Sequence, residues 1–232
     1  MSKKEIKKDE TEQLKVVGSV IERAEEFFQK YKNIIIYSLI GIAVVVGGYF
    51  AYTEFVSKPR QNEAFEQMAR AERYFAVDSF ALALNGDDNA LGFINIINDY
   101  GSTKAGNLAH FYAGACYFHL GDYNNAIAEM GKFSASDELI QARALSVIGD
   151  SYVELNQLDD AIKYFLKAAN NNDNTFSAMY FMKAAKVYEA QGKYKESLPL
   201  YEKIKRDYPL STEAREIDKY IEKANIALMA GN

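Results

Sequence analysis

Residues 149–165 read GDSYVELNQLDDAIKYF, and the reading of this stretch decides the fold. A small residue, Gly149, is followed three positions later by Tyr152. Asn156 then stands at a break, a second small residue, Ala161, follows it, and the bulky Phe165 comes four residues on. The same order recurs in GACYFHLGDYNNAIAEM (114–130) and in AKVYEAQGKYKESLPLY (185–201), at intervals of 35 and 36 residues. A fixed period of this length marks stacked supersecondary units rather than one globular core. Solenoids of this kind bind other proteins and rarely carry chemistry.

Each copy reads as two helices joined by a tight turn. The small residue (Gly114, Gly149, Ala185) lets the partner helix approach, and the tyrosine three positions on (Tyr117, Tyr152, Tyr188) shares its face. Gly121, Asn156 and Gly192 suit a helix C-terminus that needs a left-handed residue. Ala126, Ala161 and Ser197 fall where the second helix crosses the first, and Met130, Phe165 and Tyr201 lie one turn further along. The third copy closes at Pro209, where a helix should stop.

Outside the copies the helical spacing weakens but persists. Ala64, Phe65, Met68, Ala71 and Phe75, then Leu91, Phe93, Ile94, Ile96 and Ile97, read as a degenerate helix pair covering the first unit. The cluster Asp87-Asp88-Asn89 lacks the calcium-loop spacing and reads as a turn and helix start. Ser211 or Thr212 is the expected cap of a last helix whose buried stripe is Ile217, Tyr220, Ile221, Ala224 and Leu228.

The small–aromatic–alanine–bulky–proline order resembles the tetratricopeptide repeat over residues 107 to about 210, best in the second copy. The resemblance implies an all-α solenoid with repeats at about 107–141, 142–177 and 178–210. It also implies a protein-binding groove lined by the first helix of each pair. By position the groove residues are Leu108, Phe111, Ala115 and Phe118 in the first copy. Arg143, Ser146, Asp150 and Val153 follow in the second, and Met179, Met182, Lys186 and Glu189 in the third. Members that clamp a chaperone's C-terminal carboxylate place Lys and Asn where this chain has Phe111 and Ala115, so that ligand is not expected.

Residues 33–53 contain no charge. About 20 helical residues span the roughly 30 Å hydrocarbon core of a bilayer, so this segment is expected to be a single transmembrane helix. Lys30 and Lys32 mark one interface, and Tyr49, Phe50 and Tyr52 the other. A cleaved signal peptide fits poorly, because a largely polar segment of 32 residues precedes the run and no small-x-small site follows it. Ala43, Gly47 and Ala51 form a small-residue face suited to packing another span. Within 20 residues of the span the two sides tie at four Lys/Arg each. Large C-terminal domains translocate largely regardless of such charges, which favours a cytoplasmic tail (1–32) and a repeat domain (60–232) on the far side. Residues 1–13 are charged and expected without structure. Val17, Val20, Ala24, Phe27 and Tyr31 make an apolar stripe that lies on the membrane, docks on a partner or extends the anchor helix.

The rest of the sequence excludes more than it proposes. Net charge is −5, which disfavours nucleic acid as a partner. There is no phosphate loop, nucleophile elbow or zinc-protease motif. His110 and His119 lie nine apart, about 180° around a helix, and cannot share a metal there. Cys116 is the one cysteine and reads as a small buried hydrophobe. Arg143 and Asp150, seven apart on one helical face, read as a surface or groove charge pair. No enzyme activity, cofactor, metal or small-molecule substrate is expected.

The order of tail, Phe27-Phe28 pair, anchor and tetratricopeptide solenoid resembles the YfgM-like bacterial inner-membrane proteins. That resemblance implies an ancillary subunit of the Sec translocon working with a periplasmic chaperone, the repeats lying in the periplasm. A scaffold for another envelope assembly, such as outer-membrane biogenesis or division, is the alternative.

Overall fold

The computed structural model describes residues 3–171 and 176–230, with side chains at 18 and from 21 onward; the Val17 and Val20 side chains of the apolar stripe lie outside the described residues. The chain divides into two compact units, Met1–Pro59 and Arg60–Asn232.

The first unit is a helix, α1 (Lys3–Tyr52), followed by a π-helical turn, Thr53–Ser57. The Thr53 hydroxyl donates to the carbonyls of Tyr49 (3.0 Å) and Phe50 (2.9 Å), the back-bonding by which Thr loosens a helical ladder. Residues 3–13, expected without structure, are helical. Lys, Glu and Gln are good helix formers, and they join a long helix in which no new nucleus is needed. The stretch 17–31 likewise continues the helix that holds the apolar segment. Phe27 and Phe28 are exposed, and the Phe27 ring lies 4.7 Å from that of Tyr31. The apolar segment reaches a mean hydropathy of 2.3 with none of it buried, long and apolar enough to cross a membrane.

The boundary falls within the first turn of α2 (Lys58–Ala76), and the second unit continues with α3 (Phe80–Asn85), a two-residue antiparallel hairpin β1 (Gly86–Asp87) and β2 (Ala90–Leu91), and α4 (Phe93–Tyr100). The Asp87 cluster is a turn, as expected, but not a helix start. Its carboxylate accepts from the backbone N–H of Asn89 and Ala90, both at 2.9 Å, and closes the hairpin; α4 begins only after Gly92. Ala64, Met68, Ala71, Phe93 and Ile96 bury a common core with Ala105, Ala109, Ala113 and Cys116 of the next helix, so these segments cover the first repeat. Phe75 packs half-buried against this core, its ring 5.4 Å from Phe80 and 5.2 Å from Tyr112.

Three helix pairs follow: α5 (Lys104–His119) with α6 (Tyr123–Lys132), α7 (Glu138–Glu154) with α8 (Leu158–Ala169), and α9 (Ser177–Ala190) with α10 (Tyr194–Asp207). The turn residues do what their chemistry allows. Gly121, Asn156 and Gly192 have φ of 79°, 56° and 71°, the left-handed conformation that ends each first helix. Two first helices carry side-chain caps: at α5 the Thr103 hydroxyl accepts from Gly106 N–H, and at α7 the Asp137 carboxylate accepts from Leu139 and Ile140 N–H.

The crossings are equally specific. A Cβ placed on Gly114 would stand 2.6 Å from Met130 Cγ, and one on Gly149 would stand 2.6 Å from the Phe165 ring. The residue that bars a side chain is thus the bulky one four positions after Ala126 or Ala161. In the third pair Ala185 and the fully buried Tyr201 belong to one core. The last element differs in detail from expectation. Ser211 is the capping side chain, its hydroxyl accepting from Ala214 N–H at 3.2 Å, but the chain first makes a 3₁₀ turn, Glu213–Glu216, and only then α11 (Ile217–Ala230). Ile217 and Ala224 are buried, and Tyr220 stacks on Tyr201 at 5.3 Å.

Overpacking one crossing should therefore be felt by the whole stack. Gly149→Val is expected to destabilise the repeat domain by about 1–3 kcal/mol, and Phe165→Ala by about 3–5 kcal/mol. Because valine would enter the space the ring vacates, the double variant should cost less than the sum in urea melts. Strict additivity would show that the two positions do not share that space.

Candidate functional site

The faces of α5, α7 and α9 hold the residues that position assigns to a groove. On α5, Leu108, Phe111, Ala115 and Phe118 are all half-buried. Phe111 packs 5.3 Å from Phe133, and Phe118 lies 5.7 Å from Tyr123. On α7, Arg143 is exposed, Asp150 and Val153 are half-buried, and Ser146 is wholly buried. On α9, Lys186 is exposed, Met179 and Glu189 are half-buried, and Met182 keeps only 7% of its surface. Ser146 and Met182 thus sit inside the stack, beneath the face rather than on it.

The expected Arg143–Asp150 pair does not form. Seven residues along a helix amount to about 10 Å of rise, beyond the reach of a direct ion pair. Asp150 is held instead from the neighbouring first helix: Lys183 Nζ donates to its two carboxylate oxygens at 2.9 and 2.6 Å and to Ser146 Oγ at 3.1 Å. Lys183 also lies over the Phe165 ring at 5.4 Å, so one ammonium ties α7, α8 and α9 together. Sequence position gave no hint of Lys183. It follows Met182 on the side of α9 that looks toward α7, and only the angle between stacked units brings it there.

Glu189 is similarly occupied. The Tyr201 hydroxyl donates to it at 3.0 Å and Lys223 of α11 pairs with it. Burial, aided by the Glu189 carboxylate, pushes the Tyr201 phenol far above its ordinary value, so it remains a donor. Beside it, Met182, Lys186, Thr212, Arg215 and Tyr220 line a cavity of about 410 Å³ between α9 and the C-terminal turn. Lys186 Nζ stands 5.3 Å from the centre of the Tyr220 ring. The C-terminal side of this cavity has no counterpart in the repeat pattern, since it comes from the 3₁₀ turn and α11.

The histidines have separate structural partners. His110 Nδ1 lies 2.6 Å from Glu129 and His119 stacks on Phe80 at 4.2 Å. Burial pushes the Glu129 carboxyl up, but the hydrogen bonds from Lys132 and His110 outweigh it and hold the group below its usual range. Cys116 is fully buried, and burial pushes its thiol up to about 12.

With this geometry in place, the comparison with known families is direct. The tetratricopeptide repeat model matches residues 146–212, from within α7 to the start of the C-terminal turn. No curated protein matches the chain. The fold is an all-α tetratricopeptide-repeat solenoid, a class that generally serves protein–protein interaction rather than catalysis.

Two measurements probe these groups. Asp150→Ala leaves the Lys183 ammonium without its counter-charge and is expected to cost about 1 kcal/mol, whereas Asp150→Ala with Lys183→Met should recover part of that loss. An equal or larger loss in the double variant would deny the pairing. The protonated Cys116 thiol stabilises the fold below its ordinary pKa of 9.0, and this contribution is lost as pH rises toward 12. Iodoacetamide should consequently label the native chain only as fast as it unfolds, and labelling at the rate of a free thiol would show that Cys116 is accessible.

Proposed function

We propose that this chain is a non-catalytic, membrane-anchored adaptor that receives protein segments along the face of α5, α7 and α9. The observation that carries the reading is the presence on one chain of a tetratricopeptide stack and an uncharged, wholly unburied helical segment at 33–53. Apolar side chains such as Ile34, Val45 and Phe50 are exposed, and a segment of about 30 Å matches the hydrocarbon core that would cover them. The small-residue face Ala43, Gly47 and Ala51 is open, with no atom within 4 Å of a Cβ built at Gly47, and is where another span would pack.

In this reading the anchor lies in the bacterial inner membrane, the N-terminal tail in the cytoplasm and the repeats in the periplasm. The chain acts as an ancillary subunit of the translocon and its periplasmic chaperone network. Support for this comes from the layout of tail, anchor and repeats. Tethering contributes physically, since a groove confined near the bilayer meets membrane partners at a raised effective concentration.

Full-length chain should stay with membranes through an alkaline carbonate wash, and deletion of residues 33–53 should release it. Purification in mild detergent should bring translocon subunits or an envelope chaperone with it. Recovery of a different envelope assembly with neither would sink the translocon assignment while leaving the adaptor reading in place.

A further inference from the structure

We propose that the α7–α9 side of this face, together with the cavity beside it, takes an acidic polypeptide segment. The proposal deepens the adaptor reading and rests on it. Three carboxylates of this region are already neutralised: Asp150 by Lys183, Glu189 by Lys223, and Glu216 by Lys219. Three cations are not. Among the described residues no carboxylate lies within 4.0 Å of Arg143, Lys186 or Arg215, and all three are exposed; Lys186 acts on Glu216 only from beyond ion-pair distance. Glu213 is the one carboxylate of the cavity wall outside these pairs.

The face therefore presents a positive surplus on a chain whose net charge is −5. A local charge opposite in sign to that of the whole molecule is the kind of feature that selects and steers a complementary partner. The apolar floor decides which class of polyanion fits. Met182 shares the cavity wall with Lys186, whose ammonium lies over the Tyr220 ring, and a space of about 410 Å³ suits one or two amino-acid side chains. Toward α5 the cations give way to Leu108, Phe111 and Ala115. An extended segment with apolar residues among aspartates or glutamates satisfies both halves.

The test uses the full-length chain in detergent micelles and three labelled peptides. They share one leucine–phenylalanine framework and carry glutamate, glutamine or lysine at the remaining positions. Fluorescence polarisation should show the glutamate peptide binding about tenfold tighter than the glutamine peptide, with the advantage shrinking as salt is added. The variant R143E/K186E/R215E should lose that advantage and prefer the lysine peptide, an inversion that a misfolded protein cannot produce. R143Q/K186Q, which adds no new charge, should lose the preference without inverting it. Equal affinity for the glutamate and glutamine peptides, or an unchanged preference in both variants, overturns the acidic assignment while leaving the groove as a binding site. Binding of single-stranded RNA in place of all three peptides overturns it as well. If no peptide and no other polymer binds, the adaptor reading falls and this proposal falls with it.

Discussion

The structure of the repeat domain depends on how closely the two helices of each pair can cross. At Gly114 and Gly149 the missing side chain is filled by Met130 and by Phe165, and at Ala185 the buried Tyr201 shares the same core. Protein interiors are packed near crystal density, so a crossing of this kind has one good separation and angle. That separation sets how each pair meets the next. Met130 belongs to a core that extends into Ala144 and Ile148 of the following unit, and Phe165 to one that extends into Ala184 and Val187. The core is a chain of linked clusters rather than one centre, as expected when each unit buries its apolar face on its neighbours.

The charged contacts are laid over that framework and do a different task. Lys183 reaches from α9 to Asp150 and Ser146 of α7, and Lys223 reaches from α11 to Glu189 of α9. Both join a first helix to the unit next to it. With Asp150 and Lys183 about 30% exposed, such pairs add little free energy, but they fix which charged groups of the face stay exposed. The carboxylates that sequence position assigns to the groove are consumed internally. What stays presented is the guanidinium of Arg143, the ammonium of Lys186 and the cavity that the C-terminal turn closes.

Most of the fold was legible from residue order because it rests on local rules. A left-handed residue is needed where a helix ends in a tight turn, and Gly121, Asn156 and Gly192 supply it. A crossing needs a small residue opposite a large one, and the spacing of Gly149 and Phe165 announces it. The misreadings arose where local rules compete or where the partner lies far away. Residues 3–13 look disordered by charge but join an existing helix, and Asp87 looks like a helix start but its carboxylate closes a hairpin. Ser146 and Met182 occupy groove positions by count, yet packing against the neighbouring helices buries them.

The sequence by itself determined the repeat, its turns, the residues of each crossing and the uncharged segment at 33–53, because periodicity and composition are properties of neighbours along the chain. Only the tertiary structure decided the partner of Asp150, the burial of Ser146 and Met182, and the cavity between α9 and the C-terminal turn. Each of these depends on the angle at which successive helix pairs stack. That angle is set by side-chain volumes at several crossings at once, and no single stretch of sequence carries it.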